Sequence, residues 1–508
     1  YSSSHGAGVN LIGGALELKG VNYQTPEALL MEGGQLFAQT GTNTLAGPVS
    51  VNVNSTVNVL EGASIEFTGV LSGNRGITQA GEGTVILSGE ADPLAVGAVD
   101  NNRRFYSLNA GTLILDYTNN NNSKLVDGAS LTLGGSRRGG TIRLVGGSHE
   151  EIVAGTTIAT GENAIYREAG STAILRLNTI SRQPGATIYF DQPDIAKVDN
   201  PNTNANILGA WAIVRDVLNG DYDWAKNGGT ADGNVVANNS YNTLTWSANQ
   251  NTNVVQTNTR TANQTTYTLR FNGPNGASLP TGDIVLTLSG GVNTIQSGGV
   301  LVTPKMLTFN SIIRGGGDIT MGSEQQIPDF LINQFNPSGN LVIENRLVDD
   351  PNQPGATGTL FNGDTRRISG LNAALVANMH VGMSVSGTGI PVGATITGFY
   401  SATDIQINTA YTGAANDAVP DLTFVAHNGL EKLGVGTLIL TGASTYTGVT
   451  TIANGVLTAG LIADGGLPSS LGASSNAAGN LVFNGGTLRY IGEDSSTNRG
   501  FTVNEFAR

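Results

Sequence analysis

Apolar and polar residues alternate in short runs along most of this chain. Val49-Ser50-Val51-Asn52-Val53, Thr56-Val57-Asn58-Val59-Leu60 and Gly62-Ala63-Ser64-Ile65-Glu66-Phe67 keep a period of two. That period places Val, Ile and Leu on one face of a strand. Gly, Asn and Asp stand at the breaks, where positive-φ corners are needed. The pattern predicts strand, turn, strand from Gly6 to about Gly147. Further strands follow at Glu151–Ile158, Ala173–Ile180 and Gly185–Phe190. Helix signals are scarce; Thr25–Glu32 reads as a short helical turn or a corner. From about Asp191 to Asn263 the alternation weakens into Asn-, Asp- and Thr-rich text, expected to form longer loops and irregular coils on the flank of the fold. From Tyr267 to Ile343 the strand rhythm returns.

Pieces of one stretch recur. Lys432-Leu433-Gly434-Val435-Gly436-Thr437-Leu438-Ile439-Leu440 has a degenerate copy in Gly81-Glu82-Gly83-Thr84-Val85-Ile86-Leu87. The stretch runs on to Asn454-Gly455-Val456-Leu457, and this Asn-Gly-apolar half is echoed by Asn109-Ala110-Gly111-Thr112-Leu113-Ile114-Leu115 and Asn484-Gly485-Gly486-Thr487-Leu488. A unit this short cannot bury its own apolar face, so copies must stack, with coils of about 20–25 residues. In that register Val85, Leu87, Leu113, Leu115, Leu438 and Leu440 point inward, and Thr84, Thr112, Thr437 and Thr441 lie at or near the surface. Residues 358–427 break the pattern. Short strands in Val381–Pro391, Ala394–Phe399, Asp404–Asn408 and Leu422–Val425 suffice for a compact antiparallel module, with a small helix or turn at Leu371–Val376. The repeat resumes at Gly429. The expected organisation is a parallel β-helix over 1–357 with an irregular segment near 191–263, an inserted β-module over 358–427, and a β-helix continuation over 428–508.

Residues 429–460 resemble the autotransporter-associated β-strand repeat, also called the passenger-associated transport repeat. The residues that carry the resemblance are the Lys-x-Gly-x-Gly-Thr-Leu-x-Leu start, Tyr446-Thr447-Gly448, and Thr450-Thr451-Ile452-x-x-Gly455; residues 76–90 and 107–115 resemble weaker copies. The span from Lys124 to Trp224 resembles the non-repeat coils of very large surface proteins of this class, through Gly146-Gly147-Ser148-His149, Leu177–Arg182, Ile207–Trp211 and Asp223-Trp224-Ala225 in that order. The resemblance implies an all-β, elongated, right-handed parallel β-helix (a β-solenoid) in a secreted passenger region, carried to the surface of a Gram-negative-type bacterium in a structural or adhesive role. It transfers no catalytic residue. No terminal strand series reads as a membrane β-barrel, so the expectation is a barrel beyond Arg508 or another export route. The start at Tyr1 is read as a removed leader or a piece of a longer polypeptide.

Composition agrees with an extended β-core. Among 508 residues there are 71 glycines, 39% hydrophobic residues and only 6% aromatics; the glycine share is about twice the average. A net charge of −13 disfavours nucleic acid as a partner. The chain has no cysteine, which excludes disulfides and thiolate metal sites. No apolar run approaches the roughly 20 residues of a membrane-spanning helix.

Candidate chemistry is sparse. His5, His149, His380 and His427 have no metal-ligand spacing, and Gly134–Gly140 lacks the Gly-Lys-Ser/Thr ending of a phosphate loop, reading as a corner with exposed Arg137 and Arg138. Asp191, Asp194 and Asp199, then Asp221 and Asp223, are the densest carboxylates for a polysaccharide hydrolase or lyase, which needs two carboxyl groups about 5–10 Å apart. Asp216, Asp221 and Asp223 are a weaker calcium candidate, without EF-hand spacing. Trp211, Trp224 and Trp246 are candidate ligand-contact aromatics; the alternative is that they cover the flank of the solenoid. Asn119–Asn122 reads as a solvated loop or an amide ladder between coils. No catalytic residue, metal or cofactor is assigned, and no enzymatic activity is expected. The reading is an extracellular structural protein of a cell surface or filament. The alternatives are a carbohydrate-binding adhesin and a β-helical polysaccharide hydrolase or lyase. Expected partners are copies of itself end to end, further segments of a longer parent, or a surface polysaccharide, with no nucleic acid and no membrane span.

Overall fold

The computed structural model describes residues 8–91, 104–135, 139–216, 221–229, 233–243, 245–273, 279–322, 329–350, 356–361, 363–376, 379, 381–414 and 416–504. The chain divides into two compact units, residues 1–239 and 240–508. Each is a stack of parallel strands.

In the first unit, a typical coil consists of the strands Ala28–Glu32, Gln35–Thr40 and Thr42–Leu45, and each of the three joins a different sheet. Leu29 and Met31 are buried while their neighbours are half-buried, so alternation, not helix propensity, governs the segment read as a helical turn or corner. Successive coils stack in register. Ile65, Val85, Leu113, Ile142, Ile165, Phe190 and Val214 form one continuous column of buried side chains. Leu87 and Leu115 belong to the next column, and Thr84 and Thr112 are half-buried on the outside.

The parallel stack ends by a change of pairing. The strand Asp221–Asn227 runs antiparallel to both Ala212–Asp216 and Gly233–Ala237, and the last runs antiparallel to Ala196–Val198. These strands fall in the segment expected to be loops and irregular coils. Asp223, Trp224 and Ala225 are buried in succession, so the strand carries no period-two signal to read.

Asparagine ties the coils together. The Asn43 carboxamide accepts from the Val21 N–H of one coil (3.0 Å) and donates to the Ser64 carbonyl of another (2.9 Å). Asn163 accepts from the Gly140 N–H (2.9 Å) and donates to the Thr187 carbonyl (3.1 Å), with two more bonds to its own corner. In the second unit Asn293 bridges Gln264 and Asp318 in the same way. A corner in a parallel stack leaves backbone groups unpaired, and a buried amide with both donor and acceptor satisfies them.

In the second unit, Leu286, Ile313, Ile343, Leu440 and Ala459 form an equivalent column. The repeat read from the sequence explains itself here. Leu438 and Leu440 are buried, Thr437 is half-buried and Thr441 exposed. Lys432 is also fully buried, and its Nζ donates to the carbonyls of Leu433 (2.9 Å), Gly434 (2.7 Å) and Asn454 (3.1 Å). Gly434 and Gly455 both have positive φ, and a Cβ on Gly455 would come within 2.5 Å of the Gly436 carbonyl oxygen of the coil beneath. The buried Tyr446 hydroxyl bonds Thr450 Oγ1 at 2.7 Å.

Strand pairing crosses the interruption without slipping. Phe330 pairs with Leu430 and Ile343 with Leu440, as if the intervening residues were absent. Those residues hold a six-stranded antiparallel sheet within Ala356–Val425, with its own core including Leu360, Ile368, Ile396, Ile405 and Phe424. Among the described residues it has one short α-helix, Ala373–Val376. Among the described residues no helix is long and apolar enough to cross a membrane.

Candidate functional site

A buried polar constellation in the first unit grows from one strand that breaks its own rule. In Glu150–Ile152 the alternation turns Glu150 outward, to Arg176 (2.7 Å) and Lys197 (2.5 Å), and turns Glu151 inward, where it is fully buried. Glu151 accepts the Tyr117 hydroxyl (2.5 Å) and the N–H of Lys124 (2.8 Å) at Oε2, and the N–H of Leu125 (2.9 Å) at Oε1. Burial pushes its pKa up to about 7, against those hydrogen bonds. Lys124 is equally buried. Its Nζ donates to the carbonyls of Ser88 (3.3 Å) and Gly89 (2.7 Å) and to Asn120 Oδ1 (2.6 Å).

His149 lies half-buried beside this pair. Its Nε2 is 3.1 Å from Ser123 Oγ and 4.0 Å from Glu151 Oε2, and its ring is 5.3 Å from that of Tyr117. Burial lowers its pKa below the usual imidazole value, so it is neutral at physiological pH. Next to these groups opens a cleft of about 490 Å³. Glu90, Asn121, Asn122, Ser123, Asp127 and His149 line it with polar groups, and Ala91, Leu125 and Val126 with apolar ones. The asparagine run contributes directly: Asn120 Nδ2 donates to the Ser88 carbonyl, Asn121 Oδ1 accepts the Ser148 N–H, and Asn122 Nδ2 donates to Glu90 Oε2 (2.5 Å). The run is a solvated loop, with Asn119, Asn121 and Asn122 exposed, that bonds to neighbouring coils without a stacked amide ladder. Sequence reading missed the cleft because its walls come from three separate coils; the inward Glu151 in a Glu-Glu pair was the available signal.

The residues singled out in the sequence are distributed differently. Trp211, Trp224 and Trp246 are 6%, 0% and 7% exposed, so their rings pack inside the units. Half-buried aromatics occur instead in the series Tyr166, Tyr189 and Tyr222, with ring centroids 5.8 and 5.9 Å apart and the Arg143 guanidinium over Tyr166. Asp191 pairs with Arg215 (3.2 Å), Asp194 accepts Asn234 Nδ2 (2.8 Å), and the buried Asp223 accepts the Trp224 N–H (2.9 Å). Asp199 and Asp221 are half-buried. The Asp216 side chain, His5, His380, Arg137 and Arg138 lie outside the described residues. Among the described residues no three His, Asp or Glu side chains converge as a metal site.

In the second unit, a hydrogen-bonded chain roots the inserted module. Asp349 Oδ1 accepts the N–H groups of Asn428 (2.8 Å) and Thr447 (3.1 Å), and Oδ2 accepts the Thr447 hydroxyl (2.6 Å). Asn428 Nδ2 donates back to the Val348 carbonyl (2.9 Å). Thr447 Oγ1 meets His427 Nδ1, whose Nε2 lies 2.6 Å from Ser384 Oγ inside the module. Because the Thr447 proton goes to Asp349, the threonine oxygen accepts from Nδ1–H. Nε2 is then the acceptor for Ser384 O–H.

Comparison with known proteins places these features. The passenger-associated-transport-repeat family matches residues 430–459, so the resemblance read from residues 429–460 holds. The chain is also 27% identical over 405 residues, 78% of its length, to the adhesin BmaC autotransporter of Brucella suis biovar 1 (strain 1330). That match spans 9% of the adhesin's length. No solved structure gives a significant match.

Proposed function

We propose that this chain is a non-catalytic passenger segment displayed outside a bacterial cell, where its stacked coils contribute to adhesion. The observation that carries the reading is the alignment of most of the chain with an autotransporter adhesin, together with the transport repeat at 430–459. The physical character of the fold supports it. Parallel coils with buried apolar columns and asparagine-stitched corners form a rigid scaffold without disulfides. Such a scaffold presents side chains from successive coils to a partner surface. Displaying residues 1–508 on a non-adherent bacterium tests this. Protease accessibility on intact cells and a several-fold gain in attachment to host cells or matrix are expected. Full display with no gain in attachment on any surface would reduce the reading to a spacer.

A further inference from the structure

Resting on the adhesive reading above, we infer that the cleft between Glu90, Asn122, Ser123, Asp127 and His149 binds a neutral or amino sugar as a mono- or disaccharide unit. Its volume of about 490 Å³ lies within the range of small-ligand sites, about 300–1,000 Å³. Its lining mixes the two kinds of group that a sugar ring uses. Ala91, Leu125 and Val126 give apolar surface for C–H groups. Glu90, Asp127, Asn121, Asn122 and Ser123 bring carboxylates, carboxamides and a hydroxyl, groups that accept hydrogen bonds from ring hydroxyls.

The charge of the wall selects the sugar. Glu90 and Asp127 are exposed carboxylates, and among the described residues no Lys or Arg lines the cleft. Lys124, next in sequence to the lining residues Ser123 and Leu125, is buried with its amine turned to Ser88, Gly89 and Asn120. A carboxylated or sulfated glycan would meet the like charge of Glu90 and Asp127, whereas a hydroxyl or ammonium donor meets acceptors. The wall is also held in place. Asn122 is braced on Glu90, Ser123 lies 3.3 Å from Asp127 Oδ1, and Asn121 holds the Ser148 amide. Binding therefore costs little ordering of these side chains.

Saturation-transfer NMR and calorimetry on the full chain test the inference, with galactose, lactose, glucosamine and N-acetylglucosamine as probes and sialyllactose and heparin as acidic controls. The expected result is saturable binding to at least one neutral or amino sugar and none to the acidic glycans. Asp127→Ala and Glu90→Ala, both at exposed positions, should each weaken binding at least tenfold with unchanged circular dichroism. Absence of binding to every neutral and amino probe overturns the inference, as does binding that both variants leave intact, or preference for the acidic glycans. The outcome is separable from the adhesive reading. Attachment that persists in the Asp127→Ala chain leaves adhesion standing and removes the cleft from it; sugar binding without attachment does the reverse.

Discussion

Replacing Glu151 by Gln isolates one buried proton. The carboxyl is fully buried and its pKa is pushed up to about 7, mainly by burial. A folded-state value above the unfolded one means that the native chain holds a proton the unfolded chain has released. Stability from this group is therefore fully present below about 4.5 and is lost as pH rises through about 7. The difference amounts to about 3 kcal/mol across the window, of which about 1 kcal/mol disappears between pH 6 and 8. Glutamine cannot titrate, so this part of the slope should vanish. It also carries an N–H₂ where one of two carboxyl oxygens accepts a backbone N–H, Lys124 at one and Leu125 at the other. One of those amides loses its acceptor, a pH-independent cost of about 1–3 kcal/mol. Other groups have different windows or signs. Glu150, held low by Lys197 and Arg176 against its burial, acts below 4.5, and His149, lowered by burial, adds stability as pH rises toward 6.5. Urea unfolding of both chains between pH 6 and 8, with amide exchange at Lys124 and Leu125 as the local readout, measures the effect. Parallel pH slopes for the two chains would refute the assignment of the proton to Glu151.

Further consequences can be measured directly. Leu440→Asp puts a charge without a partner into a column where the native side chain is 1% exposed, and should lower the unfolding free energy by upwards of about 4 kcal/mol; unchanged thermal stability would contradict the register. Asn163→Ala should cost about 1–3 kcal/mol, since the buried Gly140 N–H loses its acceptor, with a loss confined to neighbouring coils by amide exchange. Joining Asp350 to Asn428 through a short Gly-Ser linker should keep the parallel β-structure of the second unit, because Phe330 already pairs with Leu430; loss of the β signal in circular dichroism would show the module to be integral. Asp349→Asn should reverse the hydrogen bonds through Thr447, so that His427 carries its proton on Nε2; imidazole ¹⁵N shifts report the exchange.

What could be read from the chain follows from how local its cause is. Alternation and glycine corners are set within a few residues, so Val85, Leu87, Leu113, Leu115, Leu438 and Leu440 are buried where the period-two pattern places them. The resemblance at 429–460 rests on a contiguous motif, and Lys432, Gly434 and Tyr446 each have a local packing reason to be there. The antiparallel strand Asp221–Asn227 was illegible because both its faces are covered, and a strand buried on both sides shows no alternation. The cleft was illegible for a different reason. Glu90, Asn122 and His149 belong to successive coils, and only the register of the stack brings them together. The tryptophans attracted notice as scarce large aromatics, yet rings of that size contribute most where they are removed from water.

The unbroken pairing across the inserted module has a mechanical consequence. A pull along the second unit passes from Asp329–Gln334 directly to Gly429–Leu433, and from Asn340–Ile343 directly to Thr437–Leu440. The module hangs outside that line, moored at Asp349 and Asn428. If the paired strands bear the load, unfolding the module or exchanging it for another should leave the column taut, which single-molecule pulling on chains with and without the module would measure.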